Sequence, residues 1–206
     1  MELRRALETR RMTRDFSEDE VGIDILHDLV DLAARAPSAG KTQGWSLLVL
    51  TGESKNAFWD LSLPHDKRDG FAWPGLLRAP IVALSFADPD AYVARYAEPD
   101  KAHTGLGEGV DAWQTPYWTV DASMATMALL LAAHDAGLGA LFFAVFNDPA
   151  SIRSRFGVPE RLQLLGAIAL GHAAMGESTG VAASRRGVSA SRRRASAAEV
   201  VHLGHW

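Results

Sequence analysis

The chain contains no cysteine. Disulfide frameworks, thiolate zinc sites, iron–sulfur ligation and cysteine nucleophiles are excluded together, and a reducing compartment is the natural setting. Long apolar runs are missing too. The most apolar stretch, residues 122–146, is broken by His134, Asp135, Gly137 and Gly139. It therefore reads as a buried helix followed by a strand, not as a membrane span. The opening MELRRALETRRMTRDF lacks the apolar core of a signal peptide, so a cytoplasmic location is expected. No large excess of one charge is present. A net charge of −4 gives no ground to expect nucleic acid or an anionic membrane as partner. What remains is ordinary for a folded protein: 206 residues, 48% hydrophobic and 22% charged, enough to bury a core.

The pattern along the chain alternates helix and strand. Residues 2–9 read as a helix of mixed charge. Residues 24–36 place Ile25, Leu26, Leu29, Leu32 and Ala33 on one helical face, and Pro37 ends the helix. Residues 45–50 (WSLLVL) and 80–86 (PIVALSF) read as buried strands, with a helix over 53–61 between them. Residues 64–75 and 97–116 are rich in Gly, Pro, Asp and His and read as long loops, which are often functional. The strongest helix spans 121–136, with a start as early as Pro116, and Gly137 stops it. Along it Met124, Met127, Leu130, Leu131 and His134 recur at helical spacing and read as core. A strand over 140–146, a helix over 149–156 and a strand over 162–170 complete one α/β or α+β domain around a single sheet. Residues 173–198 are small, polar and Arg-rich, and Val200, Val201, Leu203 and Trp206 follow as an apolar patch. A tail of this kind buries little by itself and is expected to wrap a second subunit.

Several motif matches fail on context. Gly40-Lys41-Thr42 ends like a P-loop, but Arg35 stands where the first glycine belongs, and a helix precedes it instead of a strand. Gly176-Glu177-Ser178-Thr179-Gly180 matches G-x-S-x-G, but no helix or downstream triad pattern follows. The glycines at 105, 107 and 109 lack the strand and helix of a dinucleotide fold. The seven histidines are scattered, and His202 and His205 lack a third ligand nearby, so no metal site is expected.

Two constellations survive. Arg10, Arg11 and Arg14 sit near one end of the chain, and Arg185, Arg186, Arg192, Arg193 and Arg194 near the other. As charge runs they read by default as solvated patches. If the two converge, their guanidinium forks make a phosphate site. The second is APSAGKTQGW over 36–45, a run of small residues between a stopped helix and a strand. It reads either as a plain connector or as backbone that approaches a planar, polar-edged ligand.

Four segments, in order, resemble the FMN-dependent nitroreductases. TRRMTRDF at 9–16 is similar to that family's R-R-x-x-R-x-F signature, and APSAGKTQGW at 36–45 to its A-P-S-x-x-N-x-Q-P-W loop. Residues 116–143 resemble its long central helix and following strand, and RRRASAAEVVHLGHW at 192–206 its closing segment. Lys41, Gly44 and Ala195 depart from the family's frequent Asn, Pro and Pro.

The resemblance implies an α+β fold with a mixed, mostly antiparallel sheet flanked by helices. It implies one domain over 1–206 whose tail, 173–206, exchanges a strand in an intertwined homodimer. FMN is the implied cofactor and NADPH or NADH the hydride donor. Arg10 would hold the FMN phosphate, joined by Arg192, Arg193 or Arg194. Arg11 and Met12 would line the ribityl side, and Arg14 would face the flavin edge that gains negative charge. Pro37, Ser38, Ala39 and Lys41 of the other subunit would hold the isoalloxazine edge, and Phe143, Ala144 and Val145 would pass its central ring. The implied reaction is ping-pong hydride transfer through flavin N5 to a nitroaromatic, quinone or similar small aromatic acceptor, with no side-chain nucleophile. Phe71, Trp73, Trp113, Tyr117 and Trp118 are candidates for the acceptor pocket or, equally, for the dimer interface. Other reactions on the same scaffold (oxidase, reductive dehalogenase, flavin cleavage) and a non-enzymatic binding role for the Arg tail are the rival functions.

Overall fold

The computed structural model describes residues 1–176 and 192–205. Four strands form one sheet: β1 (Trp45–Leu50), β2 (Ile81–Ala87), β3 (Gly139–Phe143) and β4 (Gln163–Gly171). Their order is β1-β2-β4-β3, and every ladder is antiparallel. β2 is buried along its whole length. Its side chains alternate between the two faces, as the pleat requires. Val82, Leu84 and Phe86 join Phe58 and Trp59 of α3 (Gly52–Ser62) and Ile152 of α7 (Pro149–Arg155) in one core. Ile81 and Ala83 join Leu26, Leu29 and Ala33 of α2 (Ile23–Ala33) and Leu129, Leu130 and Ala133 of α6 (Tyr117–Asp135) in the other. Helices therefore cover both faces of an antiparallel sheet, the expected α+β class. Among the described residues no helix is long and apolar enough to cross a membrane.

Several expectations need correction. β1 is an outer strand and only partly buried, because it has β2 on one side alone. α2 stops at Ala33, ahead of Pro37, and Ile25 and Leu32 are 44% and 53% exposed. The core takes only Leu26, Leu29 and Ala33 from that face. Met124 and Met127 are likewise 43% and 37% exposed, because the buried stripe of α6 runs through Ala122, Ala125, Thr126 and Leu129 instead. β3 ends at Phe143, since the chain then turns and the Phe146 N–H donates to Ser62 Oγ at 3.2 Å. A further helix, α5 (Pro89–Tyr96), follows β2. The Asp88 side chain caps it, accepting from Ala91 N, with Pro89 in its first turn.

The stretch 64–75 holds a short helix, α4 (His65–Arg68), and 97–116 holds three single 3₁₀ turns. Residues 1–174 form one compact unit, and the chain beyond it a second. In the second, α8 (Ala197–Val200) is a single turn fixed by a Ser196–Glu199 capping box. Among the described residues 192–205 there is no strand. Arg185, Arg186, Trp206 and residues 177–180 of the G-x-S-x-G match lie outside the described residues.

Candidate functional site

After α1 (Leu3–Thr9) the chain runs extended toward Phe16. Thr13 N–H donates to the Ala140 carbonyl at 3.0 Å, and Phe16 bridges Ala173. Gly139 makes the approach feasible, since a β-carbon there would lie 2.7 Å from Thr13 Oγ1. The segment carrying Arg10, Arg11, Met12 and Arg14 is thus tied to the outer edge of β3. Arg11 Nη1 donates to the Glu8 and Arg10 carbonyls, at 2.7 and 3.0 Å. Arg14 Nη1 donates to the Met12 carbonyl at 3.2 Å.

A shelf of rings continues from Arg14. Its guanidinium carbon lies 5.3 Å from the centre of the Trp73 ring, a cation–π distance. Trp73 meets Phe71 edge-on at 6.0 Å, Phe71 lies 5.5 Å from Phe146, and Phe146 5.3 Å from Phe143. Phe143, the last residue of β3, stacks on Trp59 at 5.8 Å and 7°. Phe71, Trp73 and Phe143 are half-buried, and Phe146 is 42% exposed. Ala144 and Val145 follow Phe143 outside the ladder. Trp59 and Phe146 were not anticipated. Their only signal is aromatic residues in a helix and just after a strand, which usually means core.

The loop over 36–45 has a different character. Gly40, Lys41 and Gln43 all have positive φ, at 62°, 56° and 55°. Short local bonds hold it: Thr42 Oγ1 donates to the Ala39 carbonyl at 2.7 Å, and Gln43 N–H to Ser38 Oγ at 3.1 Å. Two bonds to other helices anchor it. Ala39 N–H donates to Asp121 Oδ2 of α6 at 2.7 Å, and Arg95 Nε of α5 donates to the Gly40 carbonyl at 2.9 Å. Tyr92 OH donates to the same Asp121 oxygen at 2.8 Å. Burial, then the adjacent Asp121 carboxylate, hold the Tyr92 phenol well above its ordinary pKa. Beside them lies a cavity of about 190 Å³, lined mainly by small residues with Ser38, Gln43, Trp45, Tyr92 and Asp121. Asp121 and Tyr92 were also unanticipated; the available signal is an acid at the start of a long apolar stretch.

The five aromatic candidates do not meet in one place. Phe71 and Trp73 belong to the shelf beside Arg14. Trp113 and Trp118 are 8% and 9% exposed and pack around Tyr92. Their indole N–H groups are matched, Trp113 to the Leu106 carbonyl at 2.9 Å and Trp118 to Gln163 Oε1 at 2.8 Å. Tyr117, 45% exposed, lies 6.1 Å from Trp113. The arginine segment and the 36–45 loop are also apart. One follows β3 and the other leads into β1, the two outer strands of the sheet. The register puts Trp45 and Phe143 toward the same end of it. In the tail, Arg192, Arg193 and Arg194 are exposed, and Arg193 is paired with Glu199, whose carboxyl it holds down at about 2.

Chemically, the β3 edge fits a ligand that is anionic at one end and planar with polar edges at the other. Guanidinium forks suit phosphate. The backbone of an outer strand has one side turned away from the sheet, and the rings offer a flat apolar surface.

The Nitroreductase family model matches residues 7–172. A 4-nitrobenzoate reductase of Nocardioides sp. is 28% identical over 193 residues, 79% of this chain and 77% of its own. An NADH dehydrogenase of Thermus thermophilus is 27% identical over 182 residues, 80% of this chain and 83% of its own. A protein of Exiguobacterium sibiricum, solved in complex with FMN, shares the fold with a TM-score of 0.69 at 19% identity, covering 84% of this chain and 89% of that one. The chain belongs to the nitroreductase family.

Proposed function

We propose that this protein is an FMN-dependent NAD(P)H oxidoreductase that reduces small electron-poor aromatic acceptors such as nitroaromatics and quinones. The observation that carries this is the continuity of the β3 edge, from the arginine segment bonded at Ala140 to the half-open ring shelf at Phe143. Those residues fit FMN in donor chemistry: cations for its phosphate, strand backbone for its polar edge, rings for a planar partner. FMN, when bound, supplies hydride transfer from a reduced nicotinamide to the acceptor.

The chain's residues do the rest. Arg10 holds the phosphate, and Arg11 and Met12 line the path from it. Arg14 places a fixed cation where negative charge develops, and Trp73 packs against that guanidinium. The backbone at Phe143, Ala144 and Val145 offers hydrogen bonds to the ring edge. Phe71, Trp73 and Phe146 form the surface on which a flat acceptor stacks.

Pro37, Ser38, Ala39 and Lys41 reach the same flavin from a second copy of the chain. Two observations support a homodimer. The loop lies across the sheet from the arginine segment, at the other outer strand. Apolar side chains also stand exposed on α2 and α6, among them Ile25, Leu32, Met124 and Met127.

An absorbance spectrum of freshly purified protein tests this, repeated anaerobically after NADPH and after NADH. A flavin band that bleaches promptly with either nucleotide is the expected result, and it identifies the donor. A band that persists with both moves the protein to an oxidase, dehalogenase or flavin-cleaving reaction. No band, even after reconstitution with FMN, removes the cofactor and leaves a binding role for the arginines.

A further inference from the structure

We propose that Asp121, Tyr92 and Arg95 act as a clamp that holds the 36–43 loop in the shape in which it meets FMN. The proposal rests on the FMN function above and concerns how this chain prepares its half of the site. All three are positioning residues.

The loop needs a clamp because its backbone is strained. Lys41 and Gln43 have left-handed φ values of 56° and 55°. A β-carbon makes that conformation costly, and it persists only where the surroundings over-determine it. The local bonds from Thr42 and Gln43 close small rings within the loop and move with it. Besides a longer bond of 3.4 Å from Gln43 Nε2 to the Ala34 carbonyl, the anchors to the rest of the fold are Ala39 N–H to Asp121 and Arg95 to the Gly40 carbonyl. They grip the residues just before the strained pair.

The clamp is itself held on every side. Asp121 is 7% exposed and Tyr92 1%, so their hydrogen bond lies in a medium of low dielectric, where it is strong. Tyr92 OH and Ala39 N–H converge on the same oxygen, Oδ2, which fixes the rotation of the carboxylate. Arg95 is fixed from behind by Asp100, through bonds of 2.7 and 2.8 Å, and by Glu98 at 3.0 Å.

Helix α5 is also seated on the loop's glycines. A β-carbon at Gly44 would lie 2.7 Å from Tyr92 Cε2, and one at Gly40 would lie 2.9 Å from Tyr96 Cε2. Position 44 is where the chain departs from the Pro of the resembled loop. The Tyr92 ring occupies the space a larger residue there would need. The departure and the clamp are therefore one feature. Without the clamp, Lys41 and Gln43 would relax to ordinary backbone conformations, and Ser38, Ala39 and Lys41 would no longer be presented together.

The test reconstitutes apo protein with FMN and measures the Kd by quenching of flavin fluorescence. The visible circular dichroism of the bound flavin is recorded with it, for wild type, Asp121→Ala, Asp121→Asn and Tyr92→Phe. Asp121→Ala is expected to weaken FMN by about tenfold or more, the factor expected for losing a hydrogen bond to a charged group, and to change the dichroism. Asp121→Asn keeps an oxygen that accepts from both donors and is expected to recover most of the affinity, which a role for the charge alone would not allow. Tyr92→Phe keeps the ring against Gly44 and is expected to show a smaller loss in the same direction; it decides the matter if Asp121→Ala does not fold. Wild-type affinity and dichroism in both Asp121→Ala and Tyr92→Phe, or no recovery in Asp121→Asn, overturns the clamp while the FMN function stands. Failure of the wild-type protein to take up FMN overturns that function first, and the clamp's role toward flavin with it.

Discussion

Two aromatic clusters of five rings each, both with two tryptophans, sit on this fold and are built in opposite ways. Around Tyr92, the rings of Tyr96, Trp113, Tyr117 and Trp118 pack edge-on or tilted. Tyr92, Trp113 and Trp118 are buried, and each has its O–H or N–H matched to a named acceptor. At the end of β3, Phe71, Trp73, Phe143 and Phe146 remain half-open, with Arg14 over Trp73. Beneath them Trp59 is buried, and its Nε1 has no hydrogen-bond partner among the described residues. A closed cluster with matched polar groups supports the backbone around it. An open one backed by a cation has faces left for something else. The difference separates residues that shape the site from residues that meet a ligand, a separation that residue type alone does not make.

The sharpest way to break the contrast is to truncate one ring from each cluster. Trp118→Ala empties a buried site and removes one of two hydrogen bonds to Gln163 Oε1, leaving the one from Thr119 Oγ1 at 3.1 Å. A stability loss of about 3–5 kcal/mol is expected, read as a shift in the denaturant midpoint. Trp73→Ala removes a half-exposed ring and is expected to cost about 1 kcal/mol or less. Its effect should fall on kcat/KM for a nitroaromatic or quinone acceptor, about tenfold if the ring stacks on it. Equal stability losses in the two variants would erase the distinction, and an unchanged kcat/KM in Trp73→Ala would remove the shelf from the acceptor site.

Alkaline titration tests the closed cluster more gently. The Tyr92 phenol is held above its ordinary value of 10.0 by burial and by Asp121. The stability it contributes is therefore fully present below pH 10 and is lost as pH rises toward the folded value. Thermal melts across that range should show wild type losing stability faster than Tyr92→Phe, which has no proton to release. Parallel curves would mean that the hydroxyl is not coupled to folding.

Much of this arrangement was legible in the residues. WSLLVL and PIVALSF became β1 and β2 nearly residue for residue, because short apolar runs bounded by turn residues have few alternatives to a strand. The arginine segment and the 36–45 loop were found because their residue types carry unusual chemistry. The misses share a cause. That β1 and β3 are outer strands is a property of the sheet order, which no local pattern encodes. α5 was missed because its 8 residues span little more than two turns, although Asp88-Pro89 is a helix-start signal. Trp113 and Trp118 could not be told from Phe71 and Trp73, since what separates them is whether distant residues such as Leu106 and Gln163 satisfy their N–H groups. Asp121 looked like the start of a helix, and only the return of Ala39 to its side chain gives it another meaning.

The smallest expected effect concerns the strain that the closed cluster opposes. Lys41 has a φ of 56°, in the region where a β-carbon costs roughly 1–2 kcal/mol and Asn is among the few residues that enter readily. Lys41→Asn should therefore relax the loop and raise stability by up to about 1 kcal/mol, a gain of roughly 2–4 °C in Tm for a domain of this size. Lys41→Ala is the control. It removes the same charge but keeps the β-carbon in the left-handed region, so it should give no gain. If both variants stabilise equally, the gain comes from removing a lysine, and the loop is not strained at this position. If only Asn stabilises, position 41 carries the cost of a left-handed backbone, which the short polar side chain of Asn offsets by local hydrogen bonding and Ala does not.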